Sequence, residues 1–239
     1  MILQDISFST PAENILFDDV LLYLAEADNL EETLRLWESE QRFIVLGRTG
    51  KIKEDVNIEA VRRENIPVLR RSSGGGTVLQ GKGCLNFSLI LSKERHPLIR
   101  DLRRSYQYIL EKVINAFGPL GQQLVFRPIS DLATAAGEQK VSGNAQKRGK
   151  NFILHHGTIL YHCDLGAMER FLKIPQDIPD YRRDRPHRTF VTNLPLDQNV
   201  IKKALGEAFS TSLIQSTPSA EQKVLLKQFV KNKEVVVSY

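Results

Sequence analysis

The chain has little that would staple a fold together covalently or through metal. Its 239 residues include two cysteines, Cys84 and Cys163. Two cysteines so far apart give no disulfide framework, so a reducing compartment, the cytoplasm, is expected. No pairing of Cys with His has a structural zinc spacing, and no metal site is expected from these residues. No apolar run approaches the ~20 residues that a membrane helix needs. Met1 to Ser9 carries Asp5 and lacks a basic region followed by an apolar stretch, which argues against a signal peptide. No Lys/Arg run is dense enough to line a nucleic-acid groove, so neither a membrane nor nucleic acid is an expected partner. Internal repeats and low-complexity tracts are absent.

What is present is an ordinary globular composition, 41% hydrophobic and 26% charged, with a formal net charge of +5. The length suits one large domain, or one with a small appendage, and can bury a substantial core. The mild positive charge fits an acidic partner, a phosphate-bearing ligand or a merely solvated surface.

Helix and strand signals intermix without a regular βαβ rhythm, which points to an α+β fold with a mixed sheet flanked by helices. Thr10-Pro11-Ala12-Glu13 reads as a helix start, followed by an apolar face of Ile15, Leu16, Val20, Leu21 and Leu24. A short helix is expected over Val56 to Arg63, a long one from Leu98 to Phe117 stopped by Gly118, and others at Asn199 to Phe209 and after Thr217-Pro218. Strands are expected at Leu34 to Trp37, Phe43 to Leu46, Pro67 to Arg70, Val78 to Leu79, Leu85 to Leu91, Leu124 to Arg127, around Leu132, and at Phe152 to Leu160. Arg182 to Arg188 reads as basic and irregular.

Three segments carry chemistry. Arg70-Arg71-Ser72-Ser73-Gly74-Gly75-Gly76-Thr77 combines glycines, which let backbone amides approach an anion, with guanidinium groups that suit phosphate. It is neither a Walker loop, since no Lys-Ser/Thr follows, nor the dinucleotide fingerprint, whose glycine spacing differs. A flexible hairpin turn explains the same glycines. Lys140-Val141-Ser142-Gly143-Asn144-Ala145-Gln146 places a lysine before a small, turn-prone stretch, where it either projects a charge at an oxyanion or lies exposed at a hairpin. His155-His156-Gly157-Thr158-Ile159-Leu160 invites a metal reading, but adjacent residues of a strand face opposite ways; a satisfied histidine near a pocket fits better.

These segments, with Leu85-Asn86-Phe87-Ser88, Gly47-Arg48 and Asn193-Leu194-Pro195, follow the order found in lipoate-protein ligases. The resemblance spans roughly Thr10 to Ala208 and rests on four motifs in order. It implies the biotin and lipoate ligase fold, class II synthetase-like, with residues 1–215 as the catalytic domain and residues 216–239 as a short helical tail. It implies a two-step reaction, in which lipoate or octanoate and ATP, with Mg2+, give an acyl-adenylate that a lysine of a lipoyl domain then attacks. The acceptors would be 2-oxoacid dehydrogenase E2 subunits or the glycine cleavage H protein. Lys140 would bridge acyl carbonyl and α-phosphate. Arg71, Ser73, Gly74, Gly75, Gly76, Thr77, Val78, Leu79, Asp131, Ser142, Gly143, Ala145, His156 and Gly157 would hold ATP and the adenylate.

The chain departs from the ligase pattern in two places. Many ligases have a His-Asp pair after the glycine loop and then Gly-Asn; here stand Gln80-Gly81 and Gly83-Cys84. Longer ligases carry a C-terminal accessory domain, so that function is either missing or supplied by another polypeptide. The rival within the fold is an ATP-independent octanoyl or lipoyl transferase, with Cys84 as the acyl-carrying nucleophile. Some transferases carry that cysteine shortly before the lysine motif, where Ser130 to Ala133 has none. A biotin ligase would show a different glycine-arginine loop, and a pure binding module leaves the ordered motifs unexplained.

Overall fold

The computed structural model describes residues 1–28, 30–175 and 178–239. Among the described residues the strands run in chain order: β1 (Ile2–Asp5), β2 (Thr33–Trp37), β3 (Phe43–Leu46), β4 (Val68–Arg70), β5 (Val78–Gln80), β6 (Cys84–Ser92), β7 (Leu124–Arg127), β8 (Asp131–Thr134), β9 (Lys140–Arg148), β10 (Phe152–Leu160) and β11 (Leu213–Gln215). The helices are α1 (Pro11–Glu26), α2 (Ile52–Asp55), α3 (Ile58–Arg63), α4 (Pro97–Arg100), α5 (Leu102–Phe117), α6 (Leu165–Phe171), α7 (His187–Phe190), α8 (Gln198–Ala208) and α9 (Ala220–Asn232). Among these residues no helix is long and apolar enough to cross a membrane. The expected α+β class is what the chain adopts.

An eight-stranded mixed sheet runs β11-β1-β2-β6-β10-β9-β8-β7. A smaller sheet, β4-β3-β5, stands beside it. On one face of the large sheet α5 and α8 cover a core of Phe87, Ile109, Val113, Phe117, Ile159, Ile201 and Leu205. α1 covers the other face and packs Leu16, Phe17, Val20 and Leu21 against Ile90 and Leu154. Thr10 starts α1 as its motif predicts, accepting from Glu13 N at 3.3 Å with Pro11 at the first helical position.

The structure corrects several sequence expectations. The stretch from Lys140, read as turn-prone, is the nine-residue strand β9, paired to β8 on one side and β10 on the other. Two neighbours override the weak β preference of Ser142, Gly143, Asn144 and Ala145. The helix expected over 98–117 breaks at Asp101, whose carboxylate caps α5 by accepting from Arg104 N at 2.8 Å. The segment 182–188 is half ordered: a single 3-10 turn over Asp180–Arg182, left-handed residues at Arg183 and Asp184, then α7. The short strands β11, at the edge of the large sheet, and β1, beside it, were not anticipated.

A fully buried ion pair ties α1 to the sheet. Arg35 of β2 meets Asp18 Oδ1 at 2.6 Å and donates to Ile6 O, Asn14 O and Asn14 Oδ1. Its guanidinium lies 4.8–5.5 Å from the ring centroids of Phe17, Trp37 and Phe8. Ser88 of β6 donates to the second Asp18 oxygen at 2.7 Å. The next residue, Asp19, accepts from Ser72 at 2.5 Å and from Lys147 of β9 at 2.8 Å, and pairs with Lys233 beyond α9 at 3.3 Å. Burial alone would raise the Asp19 carboxyl, yet the bonds from Lys147 and Ser72 hold it below its ordinary value. α9 packs on α1, setting Tyr23 against Phe229, and the following residues join β4 through Arg70 N to Val235 O and Val237 N to Val68 O, both 2.8 Å.

Arg35→Met leaves Asp18 buried and uncompensated, and is expected to lower stability by about 3–5 kcal/mol. Adding Asp18→Asn should recover part of that loss, because the orphaned charge goes with it. Urea denaturation of the two variants and the parent measures both; equal losses in the single and double variants would contradict the pairing.

Candidate active site

The glycine segment Arg71 to Thr77 joins β4 to β5 and rests on the turn after β3. Arg48 N donates to Ser73 O at 2.8 Å, Arg71 N donates to Leu46 O at 3.0 Å, and the Arg70 guanidinium donates to Gly47 O, Arg48 O and Gly50 O. A Cβ at Gly47 would lie 2.0 Å from Gly75 O, so the contact between turn and loop requires glycine there.

A cavity of about 610 Å3 opens between this loop, β9, β10 and the segment ending in α7. That size suits a cofactor- or drug-sized ligand. Of the residues singled out in the sequence, Arg71, Gly75, Gly76, Thr77, Val78, Asp131, Lys140, Gly143, Ala145, His156 and Gly157 line it. Ser73, Gly74, Leu79, Ser142 and Cys84 do not. Ser73 stands behind the lining and meets His156 Nε2 at 2.6 Å. Leu79 lies in the apolar cluster with Cys84 while Val78 and Gln80 face the cavity, as strand alternation demands. The same alternation splits the histidine pair: His156 and Thr158 face the cavity, whereas His155 is fully buried beside Phe87 and Tyr106.

Arg71 differs from the phosphate fork its motif suggests. The guanidinium lies within the loop and donates to Ser73 Oγ, Val45 O, Gly74 O and Gly76 O. Burial lowers its pKa to about 10, so it stays charged while serving chiefly to shape the glycine backbone.

Lys140 Nζ pairs with Asp131 Oδ1 at 2.8 Å, and Tyr181 OH donates to the other Asp131 oxygen at 2.8 Å. The β8–β9 register sets Asp131 opposite Gly143, whose missing side chain leaves room for Lys140; a Cβ there would meet Nζ at 2.9 Å. Gly157 is a comparable fit, since its Cβ would lie 1.8 Å from Asn144 Oδ1. Asn144 Nδ2 donates to Ser130 O at 2.7 Å, and Gln80, Asn86 and Thr158 form a hydrogen-bonded cluster at the lining. Thr77 donates to Asp55 Oδ2 at 2.6 Å and fastens α2 to the loop.

Cys84 is buried at the start of β6, its sulfur 3.9 Å from Leu79 O. Both cysteines are free, and the hydrogen bond with Cys163 and burial push the Cys84 thiol up, which keeps it protonated. Among the described residues neither cysteine lines the cavity, and no group of three or more His, Cys, Asp or Glu could hold a metal.

Sequence reasoning named Val78 but missed Ile15, Trp37 and Val45, which pack with it in one cluster as an apolar wall of the cavity. It missed Lys51, Glu54, Asp55 and Gln80, and also Arg182, His187, Phe190 and Val191 on the opposite side. A helical or strand apolar residue carries no mark that distinguishes a cavity wall from the core. The basic run 182–188 was the one available signal for the second group.

The model of the lipoyl protein ligase A/B catalytic domain matches residues 10–213. The chain belongs to this family. Among its curated relatives within the lipoyl ligase A/B family, octanoyltransferase LipM of Bacillus subtilis is 27% identical, covering 86% of this chain and 83% of the relative. Lipoate–protein ligase 1 of Staphylococcus aureus is 29% identical over 70% of this chain and 48% of its own length. The fold matches the bi-partite lipoate protein ligase of Thermoplasma acidophilum with a TM-score of 0.81 at 22% identity, over 97% of this chain and 92% of that one. A lipoate-protein ligase A bound with ATP gives 0.80 at 21% identity, over 97% and 94%. The chain is therefore a lipoyl ligase A/B family enzyme, with the expected catalytic-domain fold.

Burial lowers both His155 and His156 to about 3; the neighbouring His156 adds to the effect on His155, and the Arg71 charge adds to that on His156, with Asp19 opposing it. Both rings are neutral in the fold and protonate near 6.5 once unfolded. Between these values the unfolded chain binds more protons, so stability is full above pH 6.5 and falls as the pH drops. Unfolding free energies at pH 6.5, 5.5 and 4.5 should decline by about 1.4 kcal/mol per pH unit for each ring. A flat profile would mean that the rings are charged in the fold.

Proposed function

We propose that the chain activates lipoate or octanoate as its adenylate with ATP and transfers the acyl group to a lysine of a lipoyl domain. The observation that carries this reading is the position of Lys140 in a cavity with an apolar wall and without a cysteine among its described lining residues. A transferase that works through an acyl-enzyme needs a nucleophile at the reacting carbonyl. An adenylate-forming enzyme needs only charge and positioning there.

In the first step a carboxylate oxygen of the fatty acid attacks the α-phosphorus, and pyrophosphate leaves. In the second the neutral amine of the acceptor lysine attacks the acyl carbonyl. The amide forms, AMP leaves with the former carboxylate oxygen, and the amine loses a proton. Negative charge grows at the phosphate in the first step and at the carbonyl oxygen in the second, and Lys140 meets both. Asp131, steadied by Tyr181, orients the ammonium group. The loop amides of Gly75 to Thr77, shaped by Arg71 from beneath, face the phosphate, with Ser73 and His156 bracing the loop. Ile15, Trp37, Val45 and Val78 receive the acyl chain. Magnesium accompanies the triphosphate as part of the substrate. The positive net charge favours an acidic acceptor such as an E2 lipoyl domain or an H protein.

The similarity to octanoyltransferase LipM favours a second reading, transfer from an acylated carrier without ATP through acyl-Cys84. Against it stand the burial of that sulfur and its raised pKa.

Incubation with octanoate or lipoate, ATP, Mg2+ and an apo lipoyl domain, read by intact mass, separates the two. Acylation should require ATP, fall by about 10²-fold or more in Lys140→Ala, and persist in Cys84→Ser. An acyl adduct on the protein itself, formed without ATP and absent from Cys84→Ser, would overturn the ligase reading.

A further inference from the structure

Every acidic side chain along the cavity has a described partner. Glu54 pairs with Lys51 at 2.9 Å, Asp55 accepts from Thr77, and Asp131 holds Lys140 and Tyr181. Arg182 on the opposite wall is different. Its side chain is buried, at 3% exposure, yet its Nη2 has no hydrogen-bond partner among the described residues. Nε alone is anchored, donating to Arg185 O at 2.8 Å, while Arg185 Nε donates back to Arg182 O at 2.9 Å. The guanidinium carbon stands 4.7 Å from the Phe190 ring centroid, which fixes its plane. A buried guanidinium with unmet donors is costly to the folded protein unless an anion completes it.

The surroundings indicate which anion. The preceding residue, Tyr181, is bonded to the partner of Lys140, and Val191, just after Phe190, bridges the Lys140 backbone in parallel register. Arg182 and Lys140 therefore belong to one corner of the cavity. Burial and then these two charges hold the His187 imidazole down, to about 4, so it stays neutral between them. A fatty carboxylate brings a single charge, which Lys140 alone can match. Two cations converging on one corner suit a phosphate chain, and the planar fork of arginine fits phosphoryl oxygens.

We propose that Arg182 binds a phosphoryl group of the nucleotide, as a second cation beside Lys140. This rests on the adenylation reading and adds a binding residue to it. The residue sits in the segment that Tyr181 fastens to Asp131, so the phosphate contact and the orientation of Lys140 are built from one short stretch of chain.

The test is titration calorimetry of the full chain with Mg-ATP, Mg-AMP and octanoate separately, comparing the parent with Arg182→Met and Arg182→Lys. Methionine keeps an apolar body over Phe190 and removes the charge. Arg182→Met should weaken ATP binding by at least about tenfold and leave octanoate within about twofold. Arg182→Lys should lie between, because it keeps the charge and loses the fork. If AMP weakens as ATP does, the contact is to the α-phosphate; if only ATP weakens, it is to the outer phosphates. Either result supports the assignment. Equal ATP affinity in parent and Arg182→Met overturns it, as does a loss confined to octanoate or shared equally by both ligands. Should Arg182→Met fail to fold, unchanged ATP affinity in Arg182→Lys overturns it and a several-fold loss with octanoate unaffected supports it. A parent chain that binds no ATP overturns the adenylation reading and this inference together, whereas parent binding with unaffected variants overturns the inference alone.

Discussion

Two adjacent carboxylates on one helix organise this molecule. Asp18 and Asp19 of α1 are both buried and divide the work between the two sheets. Asp18 takes the charge of Arg35 and the hydroxyl of Ser88, which fixes the helix over the middle of the large sheet. Asp19 gathers Ser72 from the glycine segment, Lys147 from β9 and Lys233 beyond α9. Consecutive helical residues point about 100° apart, so one turn of α1 can face the sheet with one acid and the loop with the next. The floor of the cavity and the loop that covers it are thus referred to the same turn.

The electrostatic character of the cavity follows from how its charges are housed. Arg71 lines the cavity, but its guanidinium lies within the glycine segment and donates to the carbonyls of Gly74 and Gly76. His156 is neutral and braces Ser73, and a ring with so low a pKa does not switch across the physiological range. Lys140 is directed by Asp131, and Arg182 is buried with a donor unmet. Lys140 and Arg182 place positive charge at one corner of the cavity, and the charged Arg71 adds to it from within the glycine segment.

Much of this was readable from the residues. The start of α1 is written in Thr10-Pro11-Ala12-Glu13, and the glycine segment declares itself because three consecutive glycines suit neither helix nor strand. The opposed faces of His155 and His156 follow from strand period alone. β9 was hidden because Ser142, Gly143, Asn144 and Ala145 are poor β formers, and only pairing on both sides makes them a strand. Most of the apolar wall was hidden because Ile15, Trp37 and Val45 come from three separate elements and look like ordinary core residues, whereas Val78 adjoins the glycine motif. Arg182 was hidden inside a basic stretch that reads as solvated, and its burial arises from Phe190 and Arg185 closing around it.

The ion pair between Lys233 and Asp19 joins residues 214 positions apart, and the β4 edge is completed by Val235 and Val237. During synthesis α1 and the glycine segment leave the ribosome long before these partners exist. The acid that steadies the loop must wait for nearly the whole of the described chain to be made. The contacts that steady the glycine segment and complete the β4 edge therefore have very long sequence separation and are slow to close. A chain interrupted before residue 233 would hold most of its large sheet yet lack the ion pair and the strand partners that brace the glycine segment.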